Sequence, residues 1–172
     1  MSTAALISVD EYLRTAYHPD CDYVDGEVIE RNVGERPHGK LQFLLAHIFF
    51  MRSAEWHTYP LIETRTQVAP RRFRIPDVCV YIGAEPQDRI LRTPPFICIE
   101  VLSPEDRLAR MQDRIDDYLK FGVPYVWVID PDSRRAWVYT AEGSREIKDG
   151  LLRTENPSLT INLAEIFASI DG

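Results

Sequence analysis

The apolar positions change period several times along the chain, and each change marks an element. Ser8-Val9-Asp10-Glu11 has the form of a capping box and predicts a short helix from Val9 to about Tyr17. CDYVDGEVIER then alternates around Asp25-Gly26, a strong hairpin signal, which predicts strands at 21–24 and 27–31. After the loop RNVGERP, residues from His38 to about Ala54 place Leu41, Leu44, Leu45 and Ile48 on one helical face and Phe43, His47 and Phe50 on another. A helix apolar most of the way round is either central or covered by a second copy, so a homodimer is one expectation.

Residues 59–69 and 73–82 read as a hairpin closed by PRRF, and a polar loop leads on to a strand at 96–102. Ser103-Pro104-Glu105 predicts the start of a helix in which Leu108, Met111, Ile115, Tyr118 and Leu119 form a stripe. Arg107, Arg110 and Arg114 share one flank of that stripe, and Gly122 stops the helix. PYVWVID and RRAWVYT follow as strands joined across Asp130-Pro131-Asp132, then a small hairpin and a terminal helix from about Leu163. The helix between the strand ending near Leu102 and the one starting near Tyr125 makes a βαβ unit with parallel strands. One α/β domain over residues 1–172 is the expected organisation.

Composition adds limits. No apolar run reaches the roughly 20 residues of a membrane helix, and MSTAALISVDEYL lacks the basic and apolar regions of a signal peptide. Cys21, Cys79 and Cys98 are too few and too scattered for a disulfide framework or zinc spacing, which suits small core residues in a cytoplasmic protein. The net charge of −7 argues against a polyanion partner, yet it is uneven. Residues 1–64 hold 5 basic and 10 acidic side chains, 65–114 hold 9 and 7, and 115–172 hold 6 and 10. The nine in the middle are all arginine, so a local positive face is compatible with the whole.

That middle third also carries two anomalies. RIPDVCV and FICIEVLSP read as buried β-branched strands, and each contains one carboxylate, Asp77 and Glu100, where burial is costly. Two acids converging on one sheet face suit a hard divalent cation, with the Val101 carbonyl as a third ligand. Arg114 on the following helix is placed to orient a nucleophile or neutralise a transition state, and Tyr118, one turn on, to support it. The plainer alternative stays open: both acids pair with buried arginines or amides, and Arg107, Arg110 and Arg114 with Asp106, Asp113 and Asp117. Arg71, Arg72 and Arg74 form either a solvated turn or a phosphate contact.

YVDGEVIE, His38 before the long helix, RIPDVCV, IEVLSPEDR, IDDYLKFGVP and VWVIDPDSRR, taken in order over residues 8 to 140, resemble the bacterial Uma-two family of endonucleases. That family lies in the PD-(D/E)xK superfamily. The resemblance implies a restriction-endonuclease-like core, a mixed central β-sheet flanked by helices, and a nuclease that cuts phosphodiester bonds in DNA with Mg²⁺ or Mn²⁺. It maps the metal-binding acids onto Asp77 and Glu100 and raises Glu27 and His38 as additional site residues. The superfamily lysine falls at Leu102 and is absent; the lysine this branch places on the next helix falls at Arg114. Arginine stabilises phosphate charge but does not act as a base. A non-catalytic nucleic-acid-binding or protein-interaction module is therefore the second reading.

Overall fold

The computed structural model describes residues 5–172; Met1–Ala4, the start of the N-terminal stretch considered above, lies outside them. Helix α1 (Val9–Arg14) begins as its capping residue dictates, Ser8 Oγ accepting from the Glu11 N–H at 3.1 Å. It stops before Tyr17, because Thr15 turns to extended backbone and its hydroxyl donates to the Glu11 carbonyl. Strands β1 (Cys21–Val24) and β2 (Glu27–Glu30) close on Asp25-Gly26, both at positive φ as the turn requires. Helix α2 (Arg36–Met51) starts two residues early, since Pro37 fits a first turn, and is followed by the short α3 (Ser53–Trp56).

The expected long hairpin is found in two parts. β3 (Thr58–Ile62) pairs with β6 (Val78–Ile82), while β4 (Thr66–Ala69) pairs with β5 (Arg72–Arg74) in a different sheet. The break falls at Glu63, at positive φ, and at Pro76, which has no N–H to give a ladder. The ribbon thus passes from one sheet to the other, and Asp77 lies at the crossing.

The larger sheet is completed by β7 (Ile97–Val101), β8 (Tyr125–Asp130), β9 (Arg135–Thr140) and β10 (Gly143–Glu146) in the order β10-β9-β8-β7-β6-β3. Among the described strands of this sheet only β7 and β8 run parallel, joined by α4 (Leu108–Phe121) as a βαβ unit demands. The smaller sheet has the order β2-β1-β5-β4. A last hairpin, β11 (Leu151–Arg153) with β12 (Thr160–Asn162), leads to α5 (Leu163–Asp171).

Leu41, Leu45 and Phe49 of α2 pack with Ile166 and Phe167 of α5 on one face of the large sheet, against Val80, Ile99 and Trp127. Met111, Ile115 and Tyr118 of α4 cover the other face, over Cys79, Cys98, Val126 and Val128. The opposite side of α2 is open, with Phe43 and Phe50 each about two-thirds exposed. Two expectations about α4 change. It starts at Leu108, not at Ser103, because the Asp106 carboxylate turns back to accept the Ser103 N–H at 2.6 Å and the Asn32 amide at 2.9 Å. Leu108, assigned to the buried stripe, consequently projects into solvent. The three cysteines are free and buried, and among the described residues no helix is long and apolar enough to cross a membrane.

The small sheet is tied to α4 by charge. Arg74 of β5, 3 % exposed, lies 3.0 Å from Asp22 of β1 and 2.7 Å from Asp117 of α4. Arg72 adds a second bond to Asp117 at 2.7 Å and reaches Asp25 at 2.9 Å. Truncating one member leaves buried partners uncompensated, a loss of about 3–5 kcal/mol. Arg74→Ala should lower the unfolding free energy measured by urea denaturation by that amount, whereas Arg134→Ala, which removes an exposed pair with Asp171, should leave it unchanged.

Candidate active site

Asp77 immediately precedes β6, and Glu100 lies in β7. The antiparallel register that pairs Val78 with Ile99 brings the two acids opposite one another, on the face that α4 covers. Asp77 is 3 % exposed and Glu100 fully buried. The surrounding elements meet them with cations and donors. Arg31, just after β2, lies 2.6 Å from Asp77 Oδ1; the Val101 N–H donates to Oδ2 at 2.7 Å; His38 Nε2, in the first turn of α2, stands 3.3 Å from the same oxygen. The Tyr118 hydroxyl donates to Glu100 Oε1 at 2.5 Å. Arg114 lies 3.1 Å from Glu100 Oε2 and 3.2 Å from Asp22.

Polar atoms are left over on both sides of the charge balance. Glu100 Oε2 and the Arg114 Nε–H are buried in ion pairs that lack hydrogen-bond alignment, and the Arg31 Nε–H is buried without an acceptor. Beside them opens a cavity of about 140 Å³ whose walls include Glu30, Arg31, Arg110, Asp113 and Arg114. Gly34 allows the chain to pass over His38, since a Cβ there would stand 2.5 Å from the ring nitrogen Nδ1.

Most of the acids and helix residues singled out in the sequence meet here: Asp77, Glu100, His38, Arg114 and Tyr118. Val101 joins through its N–H rather than its carbonyl. Glu27 does not join, being exposed beside the hairpin turn; the acid that β1 and β2 supply is Asp22, 2 % exposed. Arg74 is no surface contact, because Asp22 and Asp117 hold it in the interior. Arg72 is half-covered by its acidic partners, while Arg71 remains exposed at the turn. Arg110 faces the cavity, but Arg107 precedes the helix and lies on the far side of its first turn, apart from Arg110 and Arg114. Asp22 carried the same signal as Asp77, an acid inside an apolar strand. Arg31, at the end of a polar run, carried none.

The Uma2 family, described as "Putative restriction endonuclease", matches residues 9–169. The chain belongs to the Uma2 family. Its fold is shared with a crystal structure from Anabaena variabilis ATCC 29413 titled as a "putative nuclease belonging to DUF820". That chain is 22 % identical, with a TM-score of 0.82 over 95 % of this chain and 99 % of the other. Among curated proteins there is no match. Membership in Uma2 supports a nuclease function. Leu102, the position at which the sequence resemblance expects a lysine, bonds its N–H to the Ile129 carbonyl in the sheet.

The electrostatics have a pH signature. Burial pushes the Glu100 carboxyl up to about 7, opposed by Arg114 and reinforced by Asp77. Burial acts on Asp77 in the same sense but is outweighed by His38 and Arg31, which hold it below its ordinary value. Burial lowers His38, and its bond to Asp77 more than restores it, so the imidazole is raised above 6.5. A proton held more tightly in the folded chain stabilises it below the unfolded pKa, and that stability is lost as pH rises through the folded one. Glu100 therefore costs stability as pH rises from 4.5 to about 7, and His38 extends the loss upward. Asp77 works oppositely, losing its contribution only as pH falls below 3.8. The urea midpoint should fall between about pH 5 and pH 7, and Glu100→Gln should flatten that slope.

Proposed function

We propose that the chain is a metal-dependent nuclease that hydrolyses phosphodiester bonds, in DNA in the first instance, with Asp77 and Glu100 holding Mg²⁺ or Mn²⁺. The observation that carries this reading is the buried acid pair, opposed across β6 and β7, with arginines on either side. Among the described residues no three side chains of metal-ligating type converge. Magnesium is nevertheless commonly held by one or two carboxylates, completed by water and substrate phosphate. Glu100 Oε2, buried with no aligned hydrogen bond, is the donor that fits such an ion, which would share it with the Arg114 guanidinium 3.1 Å away. At Asp77 the ion would compete with Arg31 for Oδ1.

An ion held there supplies Lewis acidity and a more acidic bound water. The chain's own residues do the rest. Arg31 brings a buried, unused Nε–H, suited to the oxygens of a phosphate whose charge grows in the transition state, and Arg114, whose Nε faces Asp22 at 3.2 Å, adds its charge beside it. Tyr118 fixes the Glu100 carboxylate, and the Val101 N–H fixes Asp77. Asp22 orients Arg114 from behind.

A second reading rests on Arg114 itself. It is held between Glu100 and Asp22 and never loses its proton, so a chain that binds nucleic acid without turnover also suits this geometry. Supercoiled plasmid incubated with Mg²⁺ or Mn²⁺ separates the two. The nuclease reading expects nicking that drops about 100-fold or more in Asp77→Asn, with calorimetric Mn²⁺ binding lost in Glu100→Gln. Equal cutting by Asp77→Asn would overturn it. Cleavage gained only in Arg114→Lys would mark the native chain as a binding module.

A further inference from the structure

One lateral row of side chains crosses the α4 face of the large sheet. The ladders pair Glu100 with Val128, Val128 with Trp137, and Trp137 with Glu146, while Asp77 stands at the other end beside Glu100. Neighbouring strands lie about 4.8 Å apart, so Trp137 stands about 10 Å from Glu100. Between Trp137 and the first turns of α4 runs a groove of about 530 Å³, with Leu102, Met111, Val128 and Tyr139 also in its walls. Leu108, 90 % exposed, forms its lip, and Arg107 stands beside that residue. At the sheet end the Arg135 guanidinium lies 5.1 Å over the Trp137 ring. The groove shares Asp106 and Met111 with the arginine-walled cavity of the candidate active site, so the two adjoin across the start of α4.

We propose that this groove seats one unstacked nucleobase of a single strand, stacked against Trp137 and Tyr139, with Arg107 on the neighbouring phosphate. The proposal deepens the nuclease reading and rests on it for the path of the strand past the acids. Charge decides the occupant. Arg107 stands at one end of the apolar groove and Arg135 and Lys148 share the Glu146 carboxylate at the other, so three cations face two acids, Asp106 and Glu146; that excess complements a polyanion carrying flat aromatic bases, which stack on aromatic side chains and guanidinium planes. An apolar side chain standing free at the lip, as Leu108 does, is suited to part a base from its neighbour.

Binding without divalent metal tests the groove apart from catalysis. The probe is a labelled oligothymidine of about 12 nucleotides, compared with the same length of duplex, read by anisotropy and by tryptophan fluorescence. The native chain should prefer the single strand and show quenching. Trp137→Phe should keep the affinity within about twofold and lose most of the quenching, while Trp137→Ala should weaken binding about tenfold. Leu108→Ser, at an exposed position that cannot unfold the core, should weaken it several-fold. The groove is refuted if the native chain does not bind the single strand, binds duplex as well, or binds equally in Trp137→Ala and Leu108→Ser. A chain that stacks the strand as described but never cleaves with Mg²⁺ or Mn²⁺ refutes only the nuclease reading.

Discussion

Four carboxylates and four guanidinium groups meet where the two sheets join, and neither set can stay there without the other. Asp22, Asp77, Glu100 and Asp117 are each 5 % exposed or less, and Arg31, Arg72, Arg74 and Arg114 bridge them. A lone carboxylate moved from water into such surroundings costs several kcal/mol even after relaxation. The arrangement of the fold follows from that constraint. β1 and β5 must approach α4 closely enough for Arg74 to span Asp22 and Asp117, and the loop after β2 must fold back to deliver Arg31. The apolar layers set the thickness of the domain, while the charge cluster sets how the small sheet is seated on it.

Much of this was legible from residue order alone. The Asp25-Gly26 turn, the capping serine, the parallel crossover and the acids just before β6 and within β7 all rest on local signals that tertiary structure had no reason to overrule. What escaped the sequence was pairing at a distance. Nothing near Arg31 or Asp22 in the chain says that they lie beside Asp77 and Arg114, because those contacts come from sheet topology, not from spacing. The break in the long hairpin was announced by Pro76, whose missing N–H cannot continue a ladder. Leu108 was misjudged for an instructive reason: helical periodicity was extended back through Asp106, whose side chain forms a turn that competes with the helix.

The replacement of lysine by arginine now has a structural setting. Arg114 reaches both Glu100 and Asp22, a double role that the planar fork of a guanidinium, with separate donors on Nε and Nη1, supports. The same reach draws it into holding the fold together, so its chemistry and its packing are not separable by simple truncation. Leu102, in the other position open to the lysine, belongs to the apolar wall of the groove.

The equal numbers of buried acids and arginines carry one more consequence. With each buried acid already matched by an arginine and the raised His38 imidazole beside Asp77, a divalent ion entering alone would add uncompensated positive charge to a desolvated site, which an entering phosphate would offset. Each guest supplies the charge that the other lacks. On the proposed nuclease reading the two bindings would be thermodynamically linked, each raising the affinity for the other by the same factor, and metal affinity measured on the free chain would understate that of the chain engaged with a nucleic-acid strand.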